Sequence, residues 1–137
     1  MKRVEKSEAQ WREELSPERY QVLRRAATER PFSGELYHNE ADGTYQCGAC
    51  RATLFSSQTK FDSGSGWPSF FAPQDAHNVE LLEDRSHGML RTEVRCAACG
   101  SHLGHVFDDG PEPTGARYCI NSLALEFAPR EDAPEKP

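Results

Sequence analysis

Five cysteines are the residues of this 137-residue chain best suited to chemistry, and their spacing divides them into two kinds. Cys47 with Cys50 and Cys96 with Cys99 form two CxxC pairs, and Cys119 stands alone. A CxxC turn converges two sulfurs on one side of a tight knuckle, and two knuckles complete a tetrahedral thiolate cage. Forty-five residues separate the pairs, more than the roughly 15–20 of a simple zinc ribbon, so a substantial part of the fold lies between them. Small neighbours (Gly48 and Ala49, then Ala97, Ala98 and Gly100) suit backbone turned toward a metal. The expectation is one structural zinc ion on Cys47, Cys50, Cys96 and Cys99, a closed site that does no chemistry of its own. Iron is the alternative ion, His102 the alternative fourth ligand, and a pair of redox dithiols the alternative use. Redox dithiols normally sit in a βαβ context that this sequence lacks. The zinc deaminase pattern is also absent, so a catalytic metal is not expected.

Cys119 calls for a different reading. Ala116 to Leu123 alternates polar and apolar residues like a strand, and period two puts Arg117, Cys119 and Asn121 on one face. A permanent cation beside a thiol favours the thiolate, which is the nucleophile. Asn121 offers an amide to a substrate or to the sulfur. The competing reading is an inert buried cysteine, common for this residue type. Ser101 to Gly110 adds two histidines, His102 and His105, suited to proton delivery near neutral pH, with the acidic pair Asp108 and Asp109. Asp62 to Phe71 sets Trp67 on a glycine-rich turn ahead of Pro68. Nucleophile, cation, proton carriers and aromatic wall together point to thiol chemistry on a small polar group carried by an apolar stem.

The elements that position these residues are short. Ser7 with Gln10 fits a capping box opening a helix that carries Trp11 and Leu15. Ser16-Pro17 starts a second helix with Tyr20, Leu23 and Ala27 on one face, and Arg30-Pro31 ends it. From Phe32 onward, Gly and Pro punctuate short strand-like pieces: Gly43 to Cys47, Met89 to Cys96 and Arg117 to Phe127. The expected fold is mainly β, two antiparallel sheets in a sandwich or open barrel with short N-terminal helices. One domain spans 5–127, with a helical part over 5–30 and a β part over 32–127. The tail over 128–137 holds three prolines and five charges and is expected to be disordered.

Composition narrows the partners. Sixteen Lys plus Arg against 22 Asp plus Glu give a formal charge of −6, the wrong sign for phosphate backbones or anionic membranes. No stretch approaches the roughly 18 apolar residues of a membrane span. Met1 to Gln10 is charged and lacks the apolar centre of a signal peptide. An odd cysteine count fits a reducing compartment. The expectation is a soluble cytoplasmic protein that binds neither nucleic acid nor membrane.

Taken together, Glu29 to Gly34, Phe61 to Phe71, His102 to Pro111 and Arg117 to Ser122, with both CxxC pairs, closely resemble the B-type peptide methionine-R-sulfoxide reductases, from about Ser7 to Phe127. The resemblance implies an open barrel of two antiparallel sheets and a zinc site away from the catalytic centre. It implies a single-catalytic-cysteine enzyme repairing oxidative damage, in which Cys119 attacks methionine-R-sulfoxide in proteins or peptides and is left as a sulfenic acid. Trp67 would hold the substrate methyl and Phe107 would line the same pocket. His102 and His105 would protonate or orient the sulfoxide oxygen, either one being the acid. Asp109 would position that network, Arg117 would stabilise the thiolate and Asn121 would support the site.

Two positions depart from the family pattern. Ser65 stands where many members carry a resolving cysteine, so the reductant must come from outside, as thioredoxin or as glutathione with glutaredoxin. Arg51 follows the first knuckle where the family often has Gly, so that knuckle is expected to differ slightly in shape. A monomer is expected. The rival from another class is a zinc-ribbon binding module, which would need neither Cys119 nor the histidines.

Overall fold

A computed structural model describes residues 3–130. Two short helices open the fold. α1 (Glu8–Glu14) is closed at its start by the reciprocal Ser7–Gln10 capping box and buries Trp11. α2 (Pro17–Arg25) takes Ser16 as N-cap and Pro17 as its first residue, and buries Tyr20, Val22 and Leu23. It stops earlier than the Pro31 signal implies, because Ala26 adopts the left-handed region at φ 60. Ala27 to Arg30 is thereby released as a non-helical segment that reaches the site.

Among the described residues, nine strands follow in two antiparallel sheets, as the turn pattern implies. The small sheet has the order β2 (Thr53–Ser56), β1 (Gly43–Cys47), β9 (Leu125–Pro129). The large sheet has the order β3 (Lys60–Phe61), β4 (Ser69–Phe70), β8 (Arg117–Ile120), β7 (His102–Phe107), β6 (Arg91–Cys96), β5 (Val79–Asp84). Between the sheets lie fully buried Tyr45, Phe55, Phe70, Val94, Leu103, Ile120 and Leu125. Phe70 stacks on Phe55 with centroids 4.4 Å apart and meets Tyr45 edge-on at 5.0 Å. Aromatic pairs of this geometry supply much of a small core's cohesion.

Three expected boundaries shift. β6 begins at Arg91 rather than Met89. Arg117 to Phe127 is two strands, because a 3₁₀ turn at Ser122–Ala124 carries the chain from the large sheet to the small one. Ala128 and Pro129, expected to belong to a disordered tail, instead pair with Thr44 and Gly43. Residues 131–137 lie outside the described residues.

The register of the large sheet organises the chemistry. Leu82, Glu93, His105, Cys119 and Ser69 are successive cross-strand partners on β5, β6, β7, β8 and β4. Side chains paired this way project from the same face of a sheet. Gly104 permits the close β7–β8 approach, because a Cβ there would lie 2.0 Å from the Cys119 carbonyl oxygen.

Candidate active site

Cys119 sits in a cavity of about 310 Å³ lined by Ser65, Trp67, Arg91, His105, Phe107 and Asn121, among others. Thr28, Gly104 and Arg117 complete its wall. The strand period thus brings Arg117, Cys119 and Asn121 together, although Asn121 lies just past the end of β8.

Each wall residue is held by a specific contact. The Arg117 guanidinium donates from Nε and Nη2 to the two carboxylate oxygens of Asp109, at 2.8 and 3.1 Å. It also lies 4.5 Å from the Phe107 ring centroid. Asp109 therefore acts on the cavity through Arg117, without lining it itself. The hydrogen bond from Arg117 holds the Asp109 carboxyl below the ordinary range. Trp67 donates its indole N–H to the Glu29 carbonyl at 3.0 Å, which fixes the ring plane against the cavity.

Asn121 is engaged by backbone on both of its polar atoms. Its Oδ1 accepts from the Glu29 N–H and its Nδ2 donates to the Leu103 carbonyl, each at 3.0 Å. Both polar groups of this buried amide are spent on backbone, so it braces the cavity rather than addressing the sulfur.

Around the sulfur, burial dominates. It pushes the Cys119 thiol above its ordinary range, and the Ser65 hydroxyl and the Arg117 charge counteract only part of that shift. The Arg117 charge pulls toward the thiolate, but burial outweighs it. Ser65 Oγ lies 3.6 Å from Cys119 Sγ. Ser63 Oγ lies 2.7 Å from both Ser65 Oγ and Ser69 Oγ, so a cluster of three hydroxyls flanks the thiol.

The two histidines separate. His105 lines the cavity and its Nε2 lies 2.7 Å from Asp84 Oδ2. His102 is buried behind it, with ring centroids 5.5 Å apart. His102 Nδ1 lies 2.7 Å from Glu93 Oε2. Burial pushes its imidazole down toward the neutral form, against the pull of Glu93. Asp84, Glu93 and Arg91 do not stand out in the sequence, and Glu29 does so only as the first residue of a family-like stretch. Only the strand register and the non-helical segment after Ala26 place them here.

The four paired cysteines form a second centre. Their sulfurs all lie within 4.8 Å of one another, with Cys47–Cys99 and Cys50–Cys96 each at 3.7 Å. A tetrahedral zinc with bonds of roughly 2.3 Å requires sulfurs about 3.8 Å apart, so the set fits such an ion. Each knuckle ends alike: Arg51 and Gly100 take φ 70 and φ 76, and their N–H groups donate to the carbonyls of Cys47 and Cys96 at 2.8 Å. Arg51 therefore reproduces the glycine conformation, contrary to the expected difference in shape. The imidazole of His102 is engaged by Glu93, and the sulfur cluster is complete without it.

The SelR domain family matches residues 15–129. The chain is 59% identical over 130 residues to "Peptide methionine sulfoxide reductase MsrB" of Methanosarcina mazei, covering 95% of this chain and 93% of that protein. It is 61% identical over 128 residues to the protein of that name from Bradyrhizobium diazoefficiens, covering 93% and 92%. A third protein of that name, from Pseudomonas fluorescens, is 56% identical over 131 residues, covering 96% and 100%. With its SelR domain and this identity over nearly the whole length, the chain belongs to the MsrB family.

Proposed function

We propose that this chain reduces the R epimer of methionine sulfoxide in proteins and peptides to methionine. The observation that carries the reading is a single cysteine opening into a cavity walled by Trp67 and Phe107, with His105 directly across the strand pair. The aromatic rings accept an apolar stem and methyl group, while Arg117 and His105 face the polar end.

In the step, the Cys119 thiolate attacks the sulfoxide sulfur as His105 gives a proton to the oxygen. The oxygen passes to Cys119 as a sulfenic acid, and methionine leaves. Sulfur of the substrate is reduced by two electrons and Cys119 is oxidised by two. His102 packs behind His105 with its Nδ1 on Glu93. Two external thiols then complete the cycle, the first forming a mixed disulfide and releasing water, the second displacing Cys119 as thiolate. Thioredoxin or glutathione with glutaredoxin fits this need, since no sixth cysteine exists to resolve the sulfenic acid.

Zinc is the ion we assign to Cys47, Cys50, Cys96 and Cys99. With four thiolates it has no open position, and its role is to tie the β1–β2 turn to the β6–β7 turn. No described helix is long and apolar enough to cross a membrane, and free thiols of this kind belong in a reducing cytoplasm, where the chain acts as a monomer.

The test is turnover of a methionine-R-sulfoxide peptide and its S epimer with dithiothreitol. Reduction of the R epimer alone, abolished in Cys119→Ser, is expected. Full activity in Cys119→Ser, or none in the wild type, overturns the reading.

A further inference from the structure

Strand β5 ends on Asp84, whose carboxylate reaches past β6 to a histidine on β7. Its Oδ2 lies 2.7 Å from His105 Nε2, and its Oδ1 accepts from the Ser86 N–H at 2.9 Å. Both oxygens are thus pinned, one by the turn and one by the imidazole. The contact with His105 is the main reason that the Asp84 carboxyl lies well below the ordinary range.

The charged and titratable groups around His105 come from four strands. They are Asp84 on β5, Arg91 and Glu93 on β6, His102 on its own strand, and Arg117 and Cys119 on β8. Arg91 shares Asp84 Oδ2 at 3.5 Å, the longer contact. Glu93 is taken by His102 and Arg95, and Arg117 by Asp109. Among the described residues, Asp84 is the acidic group in direct contact with the His105 ring. With Nε2 occupied, Nδ1 is the ring nitrogen left for a ligand, and it belongs to a ring that lines the cavity.

We infer that Asp84 is the positioning residue for His105, holding Nε2–H so that Nδ1 is the atom that delivers the proton to the sulfoxide oxygen. This rests on the reductase reading above. A carboxylate accepting Nε2–H fixes ring plane and tautomer. The imidazolium gives its Nδ1 proton to the oxygen, keeps Nε2–H on Asp84 and regains a proton from solvent. Asp84 itself touches no reacting atom.

Asp84→Asn separates the two duties of the carboxylate. The amide oxygen still accepts from Ser86, so the turn is retained, but the charge and the acceptor for Nε2–H are lost. In single-turnover reduction of a methionine-R-sulfoxide peptide, the rate at neutral pH is expected to fall about tenfold, with the affinity for the peptide unchanged. Asp84→Glu, which restores the carboxylate acceptor, is expected to return that rate most of the way. In the wild-type protein, nitrogen chemical shifts of neutral His105 must report the Nε2–H tautomer. An Nδ1–H tautomer overturns the inference whatever the variants do. An undiminished rate in folded Asp84→Asn, beside an active wild type, overturns it while leaving the reductase reading intact. A wild type that reduces no sulfoxide overturns both.

Discussion

Ser65 Oγ stands 3.6 Å from Cys119 Sγ, close enough to hydrogen-bond the sulfur but without the chemistry to resolve it. The loop that carries Ser65 is anchored on both sides, by the Phe32 N–H on the Gly66 carbonyl at 2.7 Å and by the Ser63–Ser69 hydroxyl contact at 2.7 Å. A thiol placed at position 65 therefore begins within reach of the sulfenic acid. In Ser65→Cys, one turnover without added reductant is expected to release methionine and water and leave the introduced thiol in a disulfide with Cys119. Intact mass distinguishes the outcomes: wild type heavier by one oxygen, the variant lighter by two hydrogens. A variant that stays heavier by one oxygen refutes the proximity argument.

Thiolate formation is the next point open to measurement. Burial pushes the Cys119 thiol up, and the positive charge of Arg117 opposes it. Removing that charge disfavours the thiolate, so in Arg117→Met the midpoint for iodoacetamide alkylation is expected at higher pH. The rate at pH 7 should fall in turn, since only the thiolate is alkylated. Cys119→Ser supplies the blank for the four other thiols. An unchanged midpoint would show that Arg117 is spent on Asp109 and Phe107 alone.

Much of this site is visible in the residues, and the part that is not has a physical explanation. Period two on β8 identifies Arg117 and Cys119 as neighbours on one face, because strand alternation is a local property. The CxxC pairs announce the sulfur cluster because two turns with that spacing can each present two sulfurs. Capping at Ser7 and Ser16 is equally local. What escapes depends on register and chain reversal, which no local pattern encodes. Asp84 and Glu93 look like ordinary surface acids in their strands until β5, β6 and β7 align. The crossing at Ser122–Ala124 breaks what reads as one continuous strand. Ala26 ends α2 by adopting a conformation unusual for alanine, so Glu29 reaches the site from a segment that the sequence pattern assigns to the helix.

The sulfur cluster predicts a stability that depends on metal. Elemental analysis is expected to show one zinc per chain. Cys99→Ser, or chelation, should lower the melting temperature by more than about 15 °C, since binding energy at such sites runs to about 10 kcal/mol or more and is folding energy. Thiolate ligands compete with protons, so acidification should release the ion and the stability together. A metal-free chain melting at the same temperature would remove zinc from the account.

Glu29 carries the last prediction, because three parts of the site converge on one buried residue. Its carboxylate accepts from the Ser122 and Leu123 N–H groups at 2.9 and 3.0 Å, at the turn where the chain leaves the large sheet. Its own N–H donates to Asn121 and its carbonyl receives the Trp67 indole. In Glu29→Ala the two turn N–H groups lose their acceptor where water has little access, at a cost of about 3 kcal/mol. The melting temperature should fall by about 10 °C. Glu29→Gln keeps one acceptor oxygen but turns an NH₂ toward the other N–H, so roughly half of that loss is expected. Both variants retain the backbone groups that hold Trp67 and Asn121, so any fall in sulfoxide reduction must follow from movement of the segment. Saturating peptide should then restore kcat more fully than kcat/KM. A Glu29→Ala chain as stable as wild type would mean that the turn finds other acceptors and that Glu29 does not fasten the site.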